Sequence, residues 1–166
     1  MKERLTSLTQ LLIISFILAL IITRVIITPC TVVGQSMEPT LTEGDKLIVS
    51  RLNYIFTKPE RGDIVVLEDV DSGMILVKRL IGLPNEKIDV IDGEVRINNK
   101  VLKEDYIKET DWYTVIESHC QIPEDWYFVM GDNRNHSSDS RTELGLVHKS
   151  EIIGKSIINL NDLFRK

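Results

Sequence analysis

Cysteine and histidine are scarce in this chain, and its 166 residues contain no basic run, internal repeat or low-complexity linker. Each shortage removes a class of function. Cys30 and Cys120 permit one disulfide bridge without requiring it, and cannot build a disulfide framework. His119 beside Cys120 has no second metal-ligand pair at finger-like spacing, so neither a metal nor another cofactor is expected. The first 24 residues hold three of the 20 basic residues and one of the 25 acidic ones, which leaves 17 bases against 24 acids, a net charge of −7. Phosphate binding needs a basic face, so this balance argues against nucleic acid as a partner.

Charge is also missing locally. No charged residue occurs from Leu5 to Thr23, and Ser15 is the only polar residue between Leu11 and Ile22. At about 1.5 Å per residue this run covers roughly 28 Å, close to the hydrocarbon thickness of a bilayer. A core helix would show polar residues along one side, and a cleaved secretory signal would end in a small-x-small site. Neither is present. Pro29 and the lack of small residues before Cys30 argue against a lipoprotein cleavage box. The run predicts a retained anchor. Lys2 and Arg4 precede it, which places the N-terminus in the cytoplasm and the remainder outside, with Arg24 snorkelling to the outer headgroups. The expected organisation is a cytoplasmic N-terminus and anchor over 1–24 and an extracytoplasmic domain over 25–166, single-pass in the plasma membrane.

After the anchor the composition turns β-branched, and no long amphipathic helix is visible. Extended segments are predicted at Val25–Ile27, Thr31–Val33, Asp45–Ser50, Asp63–Leu67, Met74–Ile81, Trp112–Ile116, Trp126–Met130 and Ser156–Leu160. Lys87–Ile91 and Glu94–Ile97 flank Asp92-Gly93, the dipeptide favoured in two-residue hairpins. Lys149–Ile153 reads as a helical turn. Many short strands with Gly, Pro and Asp-Gly punctuation imply a mainly β domain, an antiparallel sandwich or barrel-like fold behind one transmembrane helix. Trp112 and Trp126 suit either its core or the membrane interface.

Gly34-Gln35-Ser36-Met37-Glu38-Pro39-Thr40-Leu41 sets a serine on a sharply shaped loop. Gly34 opens backbone conformations closed to other residues, Pro39 fixes its own φ, and Glu38 before it is pushed from helix toward extended geometry. A hydroxyl held there needs a base. Of the three histidines only His136, near Asp132 and Asp139, has an obvious carboxylate in sequence. Lys78 is the better candidate. It stands beside Arg79 in the apolar strand Met74–Ile81, and neighbours in a strand point to opposite faces. The pair cannot both be on a wet face. Either Lys78 is desolvated and pushed toward its neutral amine, or it snorkels while Arg79 pairs with a carboxylate. Gly131 to Arg141 contains no apolar side chain, which fits a solvated loop or a hydrogen-bonded scaffold for a positioned lysine.

Four segments in order, around Ser36, Arg61–Glu68, Val77–Ile88 and Met130–Arg141, together resemble the type I signal peptidases in their short, single-anchor bacterial form. The resemblance implies a serine–lysine endopeptidase that removes signal peptides from exported preproteins, acting at the bilayer and near the secretion translocon. Ser36 matches the nucleophile, Lys78 the general base and Ser137 the serine that orients the lysine amine. Asp139 and Arg141 match a supporting acidic–basic pair, with Arg79 nearby. Some members carry a serine two positions before the nucleophile that helps bind the oxyanion. Gly34 stands there in this chain, so the oxyanion site rests on the Ser36 N–H and another donor. Val32, Val33, Met37, Leu76 and Val77 flank the dyad as expected walls of shallow apolar pockets. Two other readings are a maturation peptidase of the same type with one dedicated substrate, and an inactive anchored module that binds exported chains.

Overall fold

The computed structural model describes residues 2–25, 27–108, 112 and 118–163. Helix α1, Lys2–Val25, takes in the whole uncharged run. Its side chains are described from Thr9 to Leu20, and all of these are exposed. That stretch covers about 18 Å, short of a hydrocarbon core of roughly 30 Å. Among the described residues no helix is long and apolar enough to cross a membrane, so the transmembrane helix expected from the sequence is not part of the fold established here.

The rest is antiparallel β-structure. The first strands are β1 (Ile27–Thr31), β2 (Lys46–Ser50), β3 (Ile64–Glu68), β4 (Ile75–Gly82), β5 (Lys87–Ile91) and β6 (Glu94–Ile97). They are followed by β7 (Lys100–Val101), β8 (Ser118–Gln121), β9 (Trp126–Met130), β10 (Val147–His148) and β11 (Ile152–Asn159). A seven-stranded sheet runs β1-β2-β11-β3-β4-β9-β10, and a four-stranded sheet runs β7-β6-β5-β8. β1 merges the two predicted extended pieces and ends at Thr31. It is an edge strand, which is where Pro29 can sit without removing a ladder bond. β11 begins at Ile152, four residues before the predicted start, and the predicted helical turn shrinks to the 3-10 turn Lys149–Glu151. Apart from Trp112, the strand predicted over Trp112–Ile116 lies outside the described residues.

Alternation decides what each face buries. On β3, Val65 and Leu67 join one core cluster with Leu80, Tyr127 and Val129. Val66 joins another with Val32, Met37, Leu41, Leu47 and Val49. A third cluster, containing Ile81, Ile88, Val90, Phe128 and Trp112, joins the two sheets. β4 is therefore central, yet it is only half paired on one side. β3 pairs with it from Ile75 to Arg79, whereas β9 begins only at Arg79. Among the described residues, Ile75 to Lys78 keep one open backbone edge.

Candidate active site

The loop after β1 is fixed at both ends. The Val32 N–H donates to the Asp45 carbonyl at 2.8 Å, and the Gly44 N–H donates to the Val32 carbonyl at 2.9 Å. Met37 and Leu41 anchor its middle in the core. Gly34 has φ +84° with nothing within 4 Å of a Cβ placed on it, so a side chain would meet open space but strained backbone. Ser36 follows, lining a cleft of about 220 Å³ whose other walls include Lys78, Leu76, Val77, Val32 and Val33. Val33 is 84% exposed at the rim, whereas Val32 and Met37 are buried and form its floor. A neighbouring apolar recess of about 310 Å³ shares Cys30 and Ile75 with this cleft.

Lys78 reaches the same cleft from β4 although only 3% of it is exposed. Among the described residues its amine makes no hydrogen bond or ion pair. Burial pushes its pKa below the ordinary lysine value; the Asp139 charge opposes this, and the Arg141 charge adds to it. Arg79, on the opposite face of β4, has the partners that Lys78 lacks. Its guanidinium donates to both Asp132 oxygens, at 2.8 and 2.6 Å, and to the Gly62 carbonyl at 2.9 Å, above the Tyr106 ring. Arg79 thus pairs with a carboxylate while Lys78 stays buried and unpaired rather than snorkelling.

The polar run after β9 is a scaffold and not a solvated loop. Asp132, Asn133, Arg134, Asp139, Ser140 and Arg141 are all buried. Asp139 accepts from Arg141 Nε and Nη2, both at 2.8 Å, and from the Gly131 N–H at 3.0 Å. Burial alone would raise its pKa, but these donors, chiefly Arg141, bring it below the ordinary carboxylate value. Asp139 stays ionised, and the Arg141 charge offsets its hold on a proton at Lys78. The Ser137 hydroxyl is close enough to add to the lowering of Asp139, yet forms no hydrogen bond of normal geometry. It occupies, with the Ser36 carbonyl, the space that a side chain on Gly131 would need. Ser36, Lys78, Ser137, Asp139 and Arg141 therefore converge.

Other candidates fall elsewhere. His136 is exposed, and no histidine lines the cleft. His119 lies 2.9 Å from Asp89 on the smaller sheet, a carboxylate partner that sequence distance concealed. Trp112 is buried in the core, with the Arg134 guanidinium 4.9 Å and the Arg141 guanidinium 5.4 Å from its ring centre. Both cysteines are free.

A family model described as signal peptidase, peptidase S26, matches residues 5–160. The chain belongs to this family. It is accordingly a serine endopeptidase. Signal peptidase I of Bacillus licheniformis is 37% identical over 163 residues, covering 93% of this chain and 88% of that protein. Signal peptidase I T of Bacillus subtilis strain 168 is 40% identical over 154 residues, with 87% and 79% covered. A crystal structure of a signal peptidase I from Enterococcus faecalis superposes with a TM-score of 0.54 at 32% identity, covering 61% of this chain and 98% of that one. The likeness agrees with the mainly antiparallel β architecture.

Sequence reasoning missed the ties between the serine loop and the scaffold. The Thr40 hydroxyl donates to Asp132 Oδ2 at 2.5 Å, and the Lys108 ammonium lies 2.5 Å from Glu38. Asn133 donates from its backbone to the Ser36 carbonyl and from its side chain to the Gln35 carbonyl, both at 3.0 Å. Two of these acceptors are main-chain oxygens, which leave no trace in residue types.

Proposed function

We propose that this chain removes signal peptides from exported preproteins by a Ser36/Lys78 acyl-enzyme mechanism at the membrane surface. The observation that carries this reading is Lys78, buried, unpaired and shifted toward its neutral amine, in one cleft with Ser36. A neutral amine can accept a proton, which an ammonium cannot. Ser36 Oγ attacks the scissile carbonyl while Lys78 takes the hydroxyl proton. Lys78 then returns that proton to the departing amine, leaving an ester on Ser36. Water, deprotonated by the same lysine, attacks the ester, and the proton passes back to Ser36 as the acid leaves. Asp139 and Arg141 brace the site, the Ser137 hydroxyl, unbonded in the free protein, is left to orient the amine during the reaction, and Arg79 holds β4 against Asp132. No metal or organic cofactor has a role in these steps.

The open edge of β4 from Ile75 to Lys78 suits an extended substrate that adds by main-chain hydrogen bonds. Its alternate side chains would enter the cleft at Ser36 and the recess beyond Ile75. The uncharged run within α1 supports a retained anchor over residues 1–24 with the N-terminus in the cytoplasm. Residues 25–166 then form the extracytoplasmic catalytic domain, against the bilayer and near the translocon. Ser36→Ala and Lys78→Ala in the full chain should each abolish preprotein cleavage while leaving the fold intact. Full activity in either variant would sink the mechanism.

A further inference from the structure

Gln35 and Ser36 are joined by a trans peptide, since the only cis bond among the described residues is Glu38–Pro39. In a planar trans peptide the carbonyl oxygen and the following N–H point in opposite directions. Whatever fixes the Gln35 oxygen therefore fixes the direction of the Ser36 N–H. The Gln35 oxygen has two donors, the Glu38 N–H at 3.1 Å and Asn133 Nδ2 at 3.0 Å. The first lies within the loop and moves with it. Asn133 is fully buried in the scaffold, and its own N–H holds the Ser36 carbonyl at 3.0 Å. One residue thus grips the peptide planes on both sides of Ser36. Among the described residues, the Ser36 N–H has no hydrogen-bond partner, while Ser36 lines the open cleft.

We infer that Asn133 is a positioning residue, whose side-chain amide turns the Gln35–Ser36 peptide so that the Ser36 N–H points into the cleft and receives the oxyanion. The inference rests on Ser36 being the nucleophile. With glycine at position 34 no side-chain hydroxyl assists there, so this N–H bears more of the developing charge and its direction matters more.

Asn133→Ala removes the side-chain donor but keeps the backbone bond to Ser36. In the full-length protein, kcat on a preprotein should fall by about 100-fold, the scale of a lost oxyanion donor. KM and the pH profile should not move, because substrate edge and base are untouched. Affinity for a peptide aldehyde, whose carbonyl becomes tetrahedral on Ser36, should fall by the same factor. If melting shows that the alanine variant does not fold, Asn133→Ser, too short to reach the Gln35 oxygen, should show this pattern. A kcat close to the parent value, a loss carried by KM, or undiminished aldehyde affinity overturns the inference. Ser36→Ala serves as the separating control. If it retains activity the nucleophile assignment fails, and if it is inactive while the Asn133 variants keep their kcat, only the role of Asn133 fails.

Discussion

Replacing Gly131 by alanine perturbs the proposed site at its tightest point. The added Cβ would fall 2.6 Å from Ser137 Cβ and closer still to the Ser137 hydroxyl and the Ser36 carbonyl oxygen. Residue 131 cannot retreat, because its N–H is held by Asp139 and its carbonyl accepts from Arg134 Nε, both at 3.0 Å. Nor is the Ser36 carbonyl free to turn, since the Asn133 N–H holds it. Relief must come from Ser36 and Ser137 moving outward by about 1 Å, and displacement of reacting groups on that scale costs about 100-fold in rate. Overpacking of this kind costs about 1–3 kcal/mol, which for a domain of this size lowers Tm by about 2–4 °C per kcal/mol. The assay is kcat/KM on a preprotein, with a melting curve of the same sample. A variant within about threefold of the parent rate, with unchanged Tm, would refute the packing argument.

Lys78→Met should eliminate cleavage while raising stability. The folded-state pKa of Lys78 is lowered, so over the window between that value and 10.5 the unfolded chain binds more protons and stability rises with pH. Below the window the cost of burying the charge is fully present, and the methionine variant should gain most there, its advantage vanishing near pH 10.5. Melting curves across pH check this, and equal Tm at every pH would contradict it. Arg141→Ala removes a charge that lowers the Lys78 pKa and uncovers Asp139, which raises it. The rising limb of the rate profile should therefore move to higher pH, and a limb that stays in place would show that Arg141 does not tune the lysine.

The sequence carried the strands whose apolar residues alternate or cluster, from β2 to β6 and again at β9. The hairpin was legible because Asp92 and Gly93 both adopt positive φ, +50° and +75°, which few residue pairs tolerate. β8 escaped notice because Ser118-His119-Cys120-Gln121 has no apolar pattern and borrows its order from β5. β7 and β10 are two residues long, too short to show a period. At the candidate site, the incompatibility of Lys78 and Arg79 on one wet face was readable from strand geometry alone. Which carboxylate would pair with Arg79 was not, because Asp132 is 53 residues away. The contribution of Gly131 was equally hidden. Only the packed loop shows that a missing side chain leaves room for Ser137 and the Ser36 carbonyl.

Lys78, whose pKa burial lowers, is proposed as the base for Ser36. The most direct test is the pH dependence of kcat/KM for preprotein cleavage by the full-length protein. The expected result is a limb that rises with pH through an apparent pKa below the 10.5 of an unperturbed lysine, and no activity at any pH in Lys78→Met. A limb at the ordinary histidine value of about 6.5 that survives in Lys78→Met would contradict it.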